Sequence, residues 1–85
     1  MGTEVVTEIQ AGGEGDSLIV CNLGELLAAK GMTVARLSEL VDVSVVNLSI
    51  LKNNRAKAIR FTTLEAICRA LECEVGQLLA LPARR

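Results

Sequence analysis

Residues 33–54 read TVARLSELVDVSVVNLSILKNN, and the recurrence of their apolar positions decides the fold. Leu37, Leu40 and Val41 lie three and four apart, a spacing that gathers side chains on one face of an α-helix. Thr33 stands at the start as an N-cap, because its hydroxyl can accept from an unpaired backbone N–H of the first turn. Asp42-Val43 breaks the pattern, and Ser44 caps a second run whose inward residues are Leu48 and Leu51. Asn53-Asn54 closes that run, since Asn enters the left-handed region more readily than most residues. Two short helices around a tight turn are therefore predicted, with the spacing of a helix-turn-helix.

The pattern stays helical on either side. Upstream, Asn22 followed by Glu25 has the form of a capping box. Leu23, Leu26 and Leu27 make an apolar face, and Gly31 suits the left-handed position past a helix end. Downstream, a loop carries Lys52, Arg55, Lys57 and Arg60 to Phe61. Thr62 and Glu65 form another capping box, opening a fourth helix with Leu64, Ile67, Cys68 and Leu71 on one face. A short fifth helix over 75–81 stops at Pro82. The fold class expected is all-α: a compact five-helix domain over residues 22–81, with a tail at 82–85.

Residues 1–21 read as an acidic, partly ordered arm. Two β-prone runs, 3–9 and 18–21, flank Ala11-Gly12-Gly13-Glu14-Gly15-Asp16, a composition that suits a hairpin and a flexible arm equally. A short strand is expected within 18–21. An isolated hairpin is marginal in water, so it needs the body or a second subunit to pair with.

Composition narrows the function. The chain has 85 residues, enough for one domain, and 51% are hydrophobic, which calls for a core. Leu, Val and Ala must fill most of that core, with Phe61 its one aromatic. The absence of His removes Ser–His and Cys–His catalysis and every His-containing zinc site. The carboxylates are scattered with no evident pair, so no enzyme is expected. No apolar run approaches the roughly 20 residues that span a bilayer, and no basic-then-apolar signal opens the chain. A soluble, cytoplasmic protein without membrane association is the expectation. Three cysteines make an odd count; Cys68 and Cys73 are five apart and Cys21 is distant. They read as free thiols behaving as small hydrophobes in a reducing compartment.

The net charge of −1 conceals an asymmetry. Glu4, Glu8, Glu14 and Asp16 stand without a base in residues 1–22, whereas residues 23–85 hold nine bases and six acids. Lys52, Arg55, Lys57 and Arg60 fall close together with no acid among them. Such a local stripe supplies an electrostatic footprint for nucleic acid even in an acidic chain, and equally suits a solvated loop.

Residues 44–55, SVVNLSILKNNR, followed by 56–71, AKAIRFTTLEAICRAL, resemble the Cro/cI-type (XRE-like) helix-turn-helix regulators. The likeness is closest to small stand-alone members made of little more than this domain, and it covers residues 22–81. It implies a lambda-repressor-like five-helix fold whose third helix enters the major groove of double-stranded DNA. Val45, Val46, Asn47 and Ile50 would then face base edges, and Ser44 and Ser49 would lie near phosphates. Thr33 would offer its hydroxyl and a helix N-terminus to a phosphate. Lys52, Arg55 and Lys57 would neutralise backbone, and Arg60 would approach the minor groove. The function implied is sequence-specific transcriptional regulation by a homodimer on paired half-sites, with no cofactor.

Asp42 and Asn54 stand where the family usually has Gly, and both types enter the left-handed region at modest cost. On the reading face Asn47 is the only amide, while Val45, Val46 and Ile50 offer apolar contact, for instance to thymine methyls. Specificity is then modest or rests on DNA shape. An alternative stays open: Val45 and Val46 pack on a protein partner, and the fold serves as an antitoxin-like or accessory interaction module. The acidic first 21 residues are expected to lie away from DNA and help build the dimer. Leu78, Leu79 and Leu81 of the fifth helix form the rival surface.

Overall fold

The computed structural model describes residues 9–11 and 18–82. Its helices are α1 (Leu23–Lys30), α2 (Val34–Val41), α3 (Val45–Lys52), α4 (Phe61–Leu71) and α5 (Val75–Leu78). Four short strands accompany them: β1 (Ile9–Ala11), β2 (Val20–Cys21), β3 (Ala56–Ile59) and β4 (Leu79–Ala80). A five-helix body is thus present as expected.

The helix ends explain why the segments stop where they do. α1, α3 and α4 each finish on a left-handed residue: Gly31 at φ 64°, Asn54 at φ 61° and Glu72 at φ 55°. In each case the next residue's N–H reaches back five residues: Met32 to the Leu27 carbonyl, Arg55 to Ile50 and Cys73 to Cys68. The left-handed residue's own N–H bonds the carbonyl three back. This is the Schellman closure, which satisfies carbonyls the helix leaves open. α2 ends more simply: Asp42, at φ 58°, donates its N–H to the Ser38 carbonyl at 2.9 Å. Asp42 and Asn54 both occupy the left-handed region anticipated for them.

The strands correct two expectations. The segment carrying the bases to α4 is not a loop: Ala56–Ile59 forms β3, antiparallel to β1, with Ile9 opposite Ile59 and Gln10 opposite Ala58. β2, the short strand expected within 18–21, pairs with β4, Val20 opposite Ala80 and Cys21 opposite Leu79. The second ribbon also shortens the fifth helix. Leu79 turns extended (φ −120°, ψ 129°) to pair with Cys21, so α5 stops at Leu78 and Leu81 is exposed. Run 3–9 lies outside the described residues except for Ile9.

Leu23 and Leu27 of α1, Leu37 of α2, Leu48 and Leu51 of α3, and Ile67 and Leu71 of α4 meet in one core. Val43 of the central turn, Leu78 of α5, Cys21 of β2 and Ile9 of β1 complete it with Cys68. Burying a side chain such as Ile9 removes it from water at a gain of about 1.5–3 kcal/mol. Two expected core residues are elsewhere. Phe61 is 85% exposed and Leu40 47% exposed. On α4 the buried residues are Thr63, Ile67, Cys68 and Leu71; Phe61 shares a stripe with Leu64 and Cys68 but stands at the first position of the helix and is left exposed. On α2, Leu37 turns inward and Leu40 is left on the flank.

Two expected caps are also replaced. α4 begins one residue before Thr62: extended Arg60 is its N-cap, and its carbonyl accepts from the Leu64 N–H at 2.9 Å. Glu65 is free of the cap and accepts instead from Arg69 at 2.9 Å. Asn22 does not cap α1 with its side chain; its amide donates to the Gln77 carbonyl at 3.3 Å. Its backbone N–H bonds the Leu78 carbonyl at 2.8 Å, so Asn22 ties β2 to the end of α5.

Candidate nucleic-acid interface

α2 and α3 are held as a rigid pair by the turn between them. The Ser38 hydroxyl donates to the Val43 carbonyl at 2.6 Å, and Val43 is buried beneath the turn. Thr33 caps α2, its hydroxyl accepting from the Arg36 N–H at 3.0 Å. Ser44 caps α3 in the same way, accepting from the Asn47 N–H at 3.1 Å. Both cap residues are exposed, and each marks a helix end that carries partial positive charge.

α3 presents two unlike faces. Leu48 and Leu51 are buried. Turned away from them are Val45, 45% exposed, and Val46, 69% exposed, with Ser49 half-buried beside them. Asn47 is half-buried at the flank. Ile50 is also half-buried and packs partly on the core, so it offers less free surface than the two valines.

The bases follow directly. Lys52 ends α3, Arg55 sits in the turn, Lys57 lies on β3 and Arg60 precedes α4, and all four are exposed. The described cations divide into two groups. Lys30, Arg36 and Arg69 are each paired with a carboxylate, on Glu72, Glu39 and Glu65 respectively. Among the described residues, Lys52, Arg55, Lys57 and Arg60 make no such pair. Exposed ion pairs are worth little to stability, but a paired cation presents less net charge to a partner than a lone one. The unpaired four leave a local concentration of positive charge at one end of the exposed α3 face.

Two residues depart from the sequence reading, one in what it does and one in where it stands. Asn54 accepts from the buried Cys21 N–H through Oδ1 at 2.7 Å, so the turn after α3 is anchored to β2. Phe61 stands exposed next to Arg60. Its three- and seven-residue spacing from Leu64 and Cys68 was the available signal that it belongs to their stripe.

A capped helix carried outward on a tight turn, with lone cations strung along the chain after it, defines a helix-turn-helix DNA-binding domain. Comparison with known proteins identifies the branch: residues 22–84 match the Cro/C1-type HTH DNA-binding domain, and the chain belongs to that family. It is similar to the uncharacterized HTH-type transcriptional regulator YozG of Bacillus subtilis (strain 168). The identity is 56% over 61 residues, 72% of this chain and 73% of the relative. The family match begins at residue 22, after β1 and β2.

Proposed function

We propose that this protein is a sequence-specific transcriptional regulator that acts as a homodimer on double-stranded DNA in the cytoplasm. α3 lies in the major groove with Val45, Val46, Asn47 and Ile50 towards base edges. Ser44 and Ser49 sit near phosphates, and Thr33 offers the N-terminus of α2 to another. Lys52, Arg55 and Lys57 neutralise backbone, and Arg60 reaches towards the minor groove.

The observation that carries this reading is the division of the cations. Among the described residues, the bases outside the stretch that follows α3 are paired with carboxylates, while the four within it make no such pair. A merely solvated surface has no reason to sort its charges in this way. Dimerisation is supported by the size of the reader: one small domain covers a half-site, and two related by a two-fold axis cover a palindrome.

Selection of bound DNA from a random pool, at a stated salt concentration, tests the whole reading, and enrichment of a palindrome is expected. Recovery of no preferred sequence overturns it in favour of a protein-binding role for Val45 and Val46. On the selected site, Lys57→Ala should weaken binding to all sequences about equally. It should also reduce the slope of log affinity against log salt by about 0.9. Asn47→Ala should cost about 1–3 kcal/mol on the preferred site and little on other DNA.

A further inference from the structure

Cys68 and Cys73 are placed together by the way α4 ends. In a Schellman closure the residue whose N–H reaches back five positions commonly makes a side-chain contact with the residue it reaches. At the end of α1 those two residues are Leu27 and Met32, and both join the core or pack on it. At the end of α4 the same two positions are Cys68 and Cys73, joined by a backbone hydrogen bond of 2.9 Å. That closure sets their side chains at the two positions where such a turn ordinarily makes its side-chain contact. Contact between these positions is ordinary; two sulfurs filling them is not required by packing, as Leu27 and Met32 demonstrate.

The pair is also accessible. Both residues line an open groove of about 710 Å³ between α4 and α5, with Phe61, Leu64, Val75 and Glu74 around it. Cys68 is buried at its floor, whereas Cys73 is half-buried. All three cysteines are free thiols in this structure, and Cys21 stands apart on β2.

We propose that Cys68 and Cys73 form a redox-active dithiol, which a small-molecule disulfide oxidises to an intramolecular Cys68–Cys73 bond. The Cys73 thiolate attacks one sulfur of the oxidant, forming a mixed disulfide and expelling one thiolate. Cys68 then attacks the Cys73 sulfur of that mixed disulfide, and its proton passes to solvent or to the second departing thiolate. Two protein thiols and one oxidant disulfide become one protein disulfide and two small thiols, a two-electron exchange. The order of attack follows from the surroundings: burial, with Cys73 and Glu74 nearby, pushes the Cys68 thiol up to about 11, so it keeps its proton at rest. Because the backbone hydrogen bond already closes the turn between the partners, closing the ring demands little further ordering of the chain. The bond would staple the left-handed turn at Glu72 and fix the seat of α5 against α4.

The test exposes the native full-length chain to oxidised glutathione at neutral pH. Free thiols are then blocked, and the peptides are mapped by mass spectrometry. The expected product has lost two hydrogens, links Cys68 to Cys73, keeps Cys21 as a thiol and reverts fully with dithiothreitol. Cys73→Ser should leave Cys68 unmodified after the same treatment. Three results overturn the proposal: glutathione remaining on Cys73 as a stable adduct, linkage between two chains, or a Cys68–Cys73 bond that forms only in denaturant. The wild-type map decides between these outcomes even if the variant folds poorly.

Discussion

Asn54 meets two demands at one position. Its backbone occupies the left-handed region at φ 61°, and its Oδ1 takes the Cys21 N–H at 2.7 Å. Glycine would relieve the first demand and abandon the second, leaving a backbone donor of a buried residue without a partner. Asn54→Ala fails on both counts, and should destabilise the fold by about 1–3 kcal/mol in urea unfolding. Asn54→Gly should lose less, and a glycine variant as stable as wild type would show that the hydrogen bond contributes nothing. Glu72 makes a second local claim, because it is left-handed without being glycine and its carboxylate holds Lys30 at 2.6 Å. The hydrogen bond and charge of Lys30 lower the Glu72 carboxyl below its ordinary value of 4.5. A carboxyl lowered on folding stabilises the native state above that ordinary value and loses the contribution as pH falls through the folded value. Wild type should therefore exceed Glu72→Gln in thermal midpoint at neutral pH, and the two should converge in acid. Parallel curves across that range would remove the Lys30 contact from the account.

At the scale of elements, α1 carries an avoidable weakness. Gly24 lies inside the helix, where glycine costs about 0.5–1 kcal/mol relative to alanine. A Cβ built there meets the Lys52 side chain, with Cε at 3.4 Å and Cγ at 3.7 Å, which is ordinary contact with a flexible stem. Gly24→Ala should raise stability by about that helix increment, read as a higher urea midpoint with unchanged slope; a lower midpoint would mean that Lys52 has no room to yield. The elements also divide by how well the sequence announced them. α2 and α3 were legible because their signals are local: cap hydroxyls on Thr33 and Ser44, a left-handed residue past each helix, and apolar residues three and four apart. β3 was not, because what makes Ala56–Ile59 a strand is pairing with Ile9–Ala11, nearly fifty residues away. The end of α5 failed likewise, since Leu79 is drawn out of the helix by Cys21. Phe61 was misplaced for a different reason. Helical periodicity puts it on the stripe of Leu64 and Cys68, but whether the first residue of that stripe meets the body depends on how α4 sits on α2. The basic run was plain in the sequence; that its members make no ion pair among the described residues depends on where the folded chain puts the carboxylates.

For the molecule as a whole, the two strands that precede α1, β1 and β2, are part of the body. Ile9 is buried in the common core, β1 lies against α3, and β1 supplies the edge on which β3 forms. The same few residues therefore support the outward helix and the strand bearing Lys57. Burial of Ile9 says what β1 does for the fold. Ile9→Ala should cost about 2–5 kcal/mol, the range for large-to-alanine changes in a packed core. That is a large share of the roughly 5–15 kcal/mol that holds a typical domain folded. Leu18→Ala, an exposed change in the neighbouring stretch, should stay within about 0.5 kcal/mol of wild type. Urea unfolding of the two variants separates a core contribution from a general effect of shortening apolar side chains here. Under the DNA-binding reading, Ile9→Ala should also weaken DNA binding in proportion to the fraction unfolded. A variant that unfolds like wild type would detach β1 from the core, and with it the claim that this region braces α3.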